Sequence, residues 1–247
     1  MPLELKNPHS ILAALQTRPP DVLQIQMPGG RLSRGWSDIG ALAQRHSIRL
    51  TQAPRQSPAK RKQPGRQGGG TASVKPRAPL SLAELLPSEP LKHDDIQLWL
   101  GLDCIQDPHN VGAIFRTAAF FGVSGIVVTQ DRSAPLTATV YDIASGGLEY
   151  VPFAVETNLA RALSQAKEKG LWILGSSEHA EVDIHRVSAD RPWMLLLGNE
   201  EKGLRRLTLD NCDTVCKLTA RTAVDSLNVS VAAGALISRL TQPPANV

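Results

Sequence analysis

Between Gln97 and Leu240, short and continuously apolar runs alternate with stretches of helical periodicity, and this alternation constrains the fold more than any other feature of the chain. The apolar runs predict strands over Gln97–Asp103, Gly125–Thr129, Leu171–Gly175, Trp193–Leu197 and Thr214–Leu218, with a short strand near Val151. Between them the periodicity predicts helices over Val111–Phe121, Thr137–Ala144, Leu159–Lys169 and Leu227–Leu240. Strands apolar on both sides and separated by helices imply an α/β fold with a mostly parallel sheet covered on both faces. Such sheets bind ligands in the loops beyond the carboxyl ends of their strands. The loops to inspect are therefore 104–110, 176–181, 198–206 and 219–226.

The first 95 residues differ in pattern and in charge. His9–Gln16 and Ser37–His46 read as helices, and Val22–Met27 and Ile48–Thr51 as strands, which suggests a smaller α/β domain. Pro87 and Pro90 mark residues 80–95 as a linker. The expected organisation is an N-terminal domain over 1–79, a linker over 80–95 and a larger domain over 96–247. Of the chain's net charge of +4, residues 1–95 carry 14 Lys+Arg against 7 Asp+Glu, and residues 96–247 carry 13 against 16. The excess concentrates in 53–79, where Arg55, Lys60, Arg61, Lys62, Arg66, Lys75 and Arg77 stand among prolines and glycines with no acidic residue. Such a segment has too little apolar surface to order itself. It reads either as a solvated loop or as an arm for RNA phosphates, whose neutralisation releases counterions without a fixed geometry.

Several classes are disfavoured. The three cysteines lack paired zinc spacing and suit a reducing compartment, and His109, His179 and His185 lack metal-ligand spacing, so no metal is expected. No apolar run approaches the ~20 residues of a membrane helix, and the first residues contain no signal-peptide core, so a cytoplasmic protein is expected. There is no G-x-G-x-x-G after a strand. Gly198–Gly203 has the phosphate-loop glycine spacing but is followed by Leu204-Arg205 where Lys-Ser/Thr would be needed. Aromatic residues make up 4% of the chain and form no paired stacking platform. Trp99, Trp172 and Trp193 fall in predicted strands and read as core.

Three blocks in the inspected loops are specific in combination: Asp107-Pro108-His109-Asn110-Val111-Gly112-Ala113-Ile114-Phe115-Arg116-Thr117-Ala118, Leu196-Leu197-Gly198-Asn199-Glu200-Glu201-Lys202-Gly203-Leu204, and Asp225-Ser226-Leu227-Asn228-Val229-Ser230-Val231-Ala232. In content and order they resemble the three motifs of the SpoU (TrmH-like) family of RNA ribose 2′-O-methyltransferases, whose fold is a knotted α/β domain. Residues 7–15 are similar to the start of that family's L30e-like RNA-binding domain. Residues 66–72 resemble its closing segment, with Arg66 in place of a His. The basic loop and the 103–110 segment look most like the branch that modifies a guanosine ribose in 23S rRNA. A tRNA ribose methyltransferase and a catalytically silent ribosome assembly factor are the alternatives.

The resemblance implies S-adenosylmethionine as cofactor, RNA as substrate and a homodimer built on the first and last helices of the larger domain. It makes Arg116 the central catalytic residue, although a guanidinium ordinarily stays protonated and is no base. Either an RNA phosphate held by Arg116 helps take the proton, or a pocket loosens the guanidinium's own proton. Asn110 would position substrate or Arg116, Glu200 would order the loop, and Ser226 and Asn228 would bond ribose or phosphate and support Arg116. Gly198, Leu218 and Leu227 would hold the cofactor, with Gly175, Ser176, Asn199 and Gly203 beside them. Read without the resemblance, Asn110 and Ser226 suit helix N-caps and Leu218 suits core.

Overall fold

The computed structural model describes residues 1–53, 69–93, 95–224 and 226–241. In chain order the elements are β1 (Leu3–Leu5), α1 (Pro8–Thr17), β2 (Val22–Met27), α2 (Arg34–Arg45), β3 (Arg49–Gln52), β4 (Thr71–Val74), α3 (Leu82–Leu85), β5 (Leu98–Asp103), α4 (Pro108–Phe121), β6 (Gly125–Thr129), α5 (Ala138–Ala144) and α6 (Gly147–Tyr150). They continue with β7 (Phe153–Glu156), α7 (Leu159–Glu168), β8 (Trp172–Ser176), β9 (Val182–Asp183), β10 (Trp193–Gly198), α8 (Arg206–Leu209), β11 (Thr214–Lys217) and α9 (Val229–Thr241). The chain divides into two compact units, Met1–Ala78 with Leu136–Tyr150, and Pro79–Pro135 with Val151–Val247.

In the first unit a four-stranded sheet has the order β1-β4-β2-β3, with β2 and β3 parallel and the other pairs antiparallel. The edge strand β1 and the strand β4 were absent from the sequence reading, and β4 lies within the stretch 53–79 expected not to order itself: its Ala72 and Val74 alternate into the core and pair it between β1 and β2. Leu5, Ile11, Leu15, Ile25 and Ile39 are fully buried between sheet and helices. α1 begins where Asn7 accepts the His9 N–H and Pro8 occupies the first turn, a position that needs no backbone donor. The segment 136–150, which the sequence placed in the larger domain, belongs to this unit. Its Asp142 carboxylate accepts the backbone N–H groups of Lys6 and Asn7, and the Ser10 hydroxyl donates to the Tyr141 carbonyl. Arg18 grips the buried Glu149 carboxylate through Nε at 2.7 Å and a second nitrogen at 2.8 Å. Such a fork satisfies both carboxylate oxygens at once.

The second unit holds a seven-stranded sheet of order β7-β6-β5-β10-β8-β11-β9 in which every pair is parallel. β5, β6 and β10 are buried along their whole length, which explains why they read as unbroken apolar runs. Residues 80–95, expected to be a linker, carry a helical turn instead. Ser81 and Glu84 cap α3 reciprocally, and Leu82, Leu85 and Leu86 join Trp99, Val127, Leu163 and Met194 in the core. Prolines at 87 and 90 end that turn without excluding its leucines from the interior. Trp99 and Trp193 are core residues, but Trp172 is 42% exposed. It opens β8, and Arg191 stacks 4.6 Å from its ring centroid.

Among the described residues no helix is long and apolar enough to cross a membrane, and no group of three or more His, Cys, Asp or Glu side chains is placed to hold a metal. The basic residues of 54–68, including Arg66, lie outside the described residues, as does Asp225.

Candidate active site

The carboxyl ends of β5, β10 and β11 lead into three loops, and the sequence blocks singled out above lie on them. After β5 the chain turns into α4. Asp107 caps this helix by accepting the His109 N–H at 2.8 Å, and Pro108 fills the first helical position. Asn110 is therefore not the cap. It sits inside the first turn, buried, with its side chain free for tertiary bonding.

That side chain joins the three loops. Asn110 Nδ2 donates to Glu200 Oε1 at 2.9 Å, and Asn228 Nδ2 donates to Asn110 Oδ1 at 3.0 Å. Asn228 Oδ1 in turn accepts the N–H of Ser230 at 2.9 Å in the first turn of α9. The polarity of this chain is forced from both ends. An ionised carboxylate only accepts, so Asn110 must present its amide nitrogen to Glu200 and its oxygen to Asn228. The backbone N–H of Ser230 only donates, so Asn228 must face it with oxygen. The two requirements agree, and both amides have a single orientation.

Glu200 gathers further donors. Oε1 also accepts the Asp107 N–H at 3.2 Å, while Oε2 accepts the Gln106 N–H and Asn199 Nδ2, each at 3.3 Å. Partial burial acts to raise its pKa, but the bonds from Asn110 and from the backbone of Glu200 itself, Asp107 and Gln106 outweigh it and hold the carboxyl below its ordinary range. Glu200 and Glu201 are both exposed, but only the Glu200 carboxylate accepts this set of bonds.

The loop after β10 is tightly built. Asn199 and Gly203 exchange backbone hydrogen bonds of 3.0 and 2.9 Å, and Asn199 Oδ1 accepts the N–H groups of Glu201 and Lys202. A Cβ on Gly198 would lie 2.3 Å from the Gly203 carbonyl carbon, so this crossing tolerates only glycine. Gly203 itself has φ +63°, the left-handed region in which glycine carries no penalty.

Arg116 stands apart from this network. It lies six residues beyond Asn110, which at 100° per residue places it about 120° round the helix and roughly 9 Å along it. Its side chain is exposed and forms no ion pair with any described residue. Ser226 is likewise exposed and outside the network, and α9 begins at Val229, so Asn228 and not Ser226 occupies the capping position. Leu227 is 53% exposed and Val224 64%, while Leu218, just past β11, is half-buried. These apolar side chains gather on loops at one end of the sheet.

Gly175 and Ser176 end β8 between β10 and β11. A Cβ at Gly175 would press 2.8 Å from Cys212 Sγ, and the Ser176 hydroxyl donates to the Leu196 carbonyl at 2.7 Å, so both residues have packing duties. Cys104, Cys212 and Cys216 are free, and burial pushes the Cys212 thiol up to about 11 and the Cys216 thiol up to about 12.

Sequence reasoning missed two residues at the rim of the site. Asp103, fully buried at the end of β5, accepts Arg205 Nε at 2.6 Å and the Arg205 N–H at 3.0 Å. A charge closing an apolar strand was the signal that could have found it.

Comparison with known proteins places these features in context. Residues 97–238 match the model of the SpoU rRNA Methylase family. The chain is 38% identical over 229 residues to the 23S rRNA (guanosine-2′-O-)-methyltransferase RlmB of Nitrosomonas europaea, spanning 92% of this chain and 86% of that one. It is also 38% identical to the RlmB of Pseudomonas putida, over 92% and 90% of the two chains. Among solved structures, the SpoU methyltransferase AviRb from Streptomyces viridochromogenes has the same fold, with a TM-score of 0.77 at 20% identity over 97% of this chain and 88% of that one. The same enzyme in complex with AdoMet gives 0.74 at 21% identity over 97% and 89%.

Proposed function

This chain belongs to the SpoU rRNA Methylase family, and from that membership and the geometry of its loops we propose that it transfers a methyl group from S-adenosylmethionine to the ribose 2′-hydroxyl of a guanosine in 23S rRNA. The observation that carries the proposal is the Glu200–Asn110–Asn228 hydrogen-bonded chain, which ties the three motif loops together at the carboxyl end of a parallel sheet.

The residues at the strand ends fit the cofactor. An adenosyl group asks for apolar sides and backbone polar partners. Leu218 and Leu227 supply the first, and the backbone carbonyls of Gly198, Asn199 and Gly203, each able to accept a further bond, supply the second, with Gly175 and Ser176 as neighbours at the end of β8. When bound, the sulfonium supplies an electrophilic methyl; everything else falls to the protein's own side chains. A ribose hydroxyl is a poor nucleophile at neutral pH and has to be aligned and relieved of its proton. Asn110 and Glu200 fix the loops that define the hydroxyl's position. Ser226, exposed beside Asn228, bonds the incoming ribose or phosphate. Arg116 is the central catalytic residue. Unpaired among the described residues, its charge holds an RNA phosphate close to the nucleophile, and the hydroxyl proton passes to that phosphate.

RNA is recruited by the N-terminal unit and the basic segment 53–79. The active form is a homodimer in the cytoplasm, with a second copy covering α4 and α9, where Phe120 is 83% and Val231 57% exposed. The larger domain is knotted in the manner of its family. These readings rest on the family and on the exposed apolar side chains.

Purified protein supplied with isotopically labelled S-adenosylmethionine should label 23S rRNA on a guanosine ribose and leave tRNA unlabelled. Arg116→Ala should lower labelling to background while thermal unfolding stays unchanged. Labelled tRNA, or an active Arg116→Ala variant, would overturn the target or the mechanism respectively.

A further inference from the structure

Asp103 is the only charged residue of β5 and is fully buried. A carboxylate persists in such a place only when it is paired and hydrogen-bonded. Both of its described bonds come from one residue: Oδ2 accepts the backbone N–H of Arg205 at 3.0 Å, and Oδ1 accepts its Nε–H at 2.6 Å. Arg205 closes the loop that begins at Asn199.

The other end of that loop is held from the neighbouring residue. Asn199 Nδ2 donates to the Cys104 carbonyl at 3.0 Å. Cys104 follows Asp103 directly and adopts φ +61°, a left-handed conformation unfavourable for a residue with a Cβ. Its N–H donates to the buried Thr129 hydroxyl at 2.8 Å, which helps keep the turn in place. The end of β5 thus offers a side-chain acceptor to one end of the 199–205 loop and a backbone acceptor to the other.

We infer that Asp103 and Arg205 form a latch that positions the 199–205 loop, and with it Glu200 and the backbone of Gly198–Gly203, before substrate arrives. Arg205 is a positioning residue, acting through the loop without touching the reacting atoms. The inference rests on the function proposed above. The loop contains no helix or strand; the Asn199–Gly203 bridge and the bonds to Glu200 hold its middle, and Asp103 and the Cys104 carbonyl hold its ends. A loop already ordered in its binding shape leaves less ordering entropy to be lost when cofactor binds. Lysine at 205 would keep the backbone bond and a cation, but not the Nε–H that pairs with Oδ1 in fixed register with the N–H of the same residue.

The test uses the full chain and three variants: Arg205→Ala, Arg205→Lys and, as control, the exposed neighbour Arg206→Ala. Hydrogen exchange of peptides covering 199–205 is measured without ligand, and steady-state methyl transfer is measured with S-adenosylmethionine and 23S rRNA. In Arg205→Ala, exchange of the loop should accelerate while α7 and β8 keep their protection, and KM for S-adenosylmethionine should rise about tenfold with kcat reduced far less. Arg205→Lys should fall between, at about a threefold rise in KM, and Arg206→Ala should match the wild type. Unchanged loop exchange in Arg205→Ala overturns the latch, and faster exchange with unchanged KM overturns its role in positioning. Should Arg205→Ala fail to fold, the Lys variant carries the test, and wild-type exchange and KM there overturn the inference. A wild-type protein that binds no S-adenosylmethionine overturns the proposed function, whatever the loop does.

Discussion

Glu200 draws its importance from the number of donors aimed at it. Four separate groups, on Asn110, Asn199, Asp107 and Gln106, point hydrogens at its two oxygens. Glu200→Gln keeps the shape but turns an amide N–H₂ toward groups that can only donate. It should therefore lower kcat/KM by about tenfold, because the loop loses bonds that water replaces only in part. The pH dependence follows from the sign of the shift. The folded carboxyl lies below its ordinary value, so the order it imposes is complete above that value and is lost only as the pH falls through the lower, folded one. Methyl transfer between pH 5 and 9 should show no acidic limb that Glu200→Gln removes, and finding such a limb in a pH–rate profile would contradict this assignment. The sequence blocks were enough to name Asn110, Glu200 and Asn228. They were silent on which atom of the Asn110 amide faces which neighbour, because its polarity is decided by partners 90 and 118 residues away. The cap of α4 was legible locally: Asp107 followed by Pro108 is a common helix opening.

Elements were read best where burial is two-sided. β5, β6 and β10 stand within a residue of their expected limits because a strand buried on both faces has no choice but to be apolar throughout. The helix expected at Thr137–Ala144 is also present, as α5, but with the first unit and not the second. Periodicity reports that one face is buried and carries no information about what covers it. The covering is specific: Glu149 is nearly inaccessible and paired with Arg18. Removing one member of such a pair leaves an uncompensated buried charge. Arg18→Ala should therefore destabilise the first unit by about 3 kcal/mol, read from the shift of a denaturant midpoint. A shift below about 0.5 kcal/mol would mean that the pair behaves like an exposed ion pair. β1, β4 and β9 escaped the sequence reading for the opposite reason. They have four residues or fewer and sit at sheet edges or alternate buried with partly exposed positions.

Across the whole molecule the charge is divided as the chemistry of an RNA-modifying enzyme would use it. The N-terminal 95 residues are net positive and the remainder, with the methyl-transfer loops, is net negative. The richest basic stretch falls largely on residues 54–68, outside those described. Deleting 54–68, which spares β4, should weaken rRNA binding and reduce the slope of log affinity against log salt by several contacts, at about 0.7–0.9 per phosphate lost, while S-adenosylmethionine binding is retained. An unchanged slope would leave the segment a plain connection. Architecture was readable from alternation alone, and the activity from three short blocks. The grouping of 136–150 with the first unit and the latch at Asp103 were not, since both depend on pairings between residues distant in sequence. The central claim, methylation of a guanosine ribose in 23S rRNA, is tested most directly by mapping ribose methylation along that RNA in cells with and without the gene. One guanosine should lose its 2′-O-methyl group on deletion and regain it with the wild-type chain but not with Arg116→Ala. An identical methylation map in the presence and absence of the gene would contradict the account.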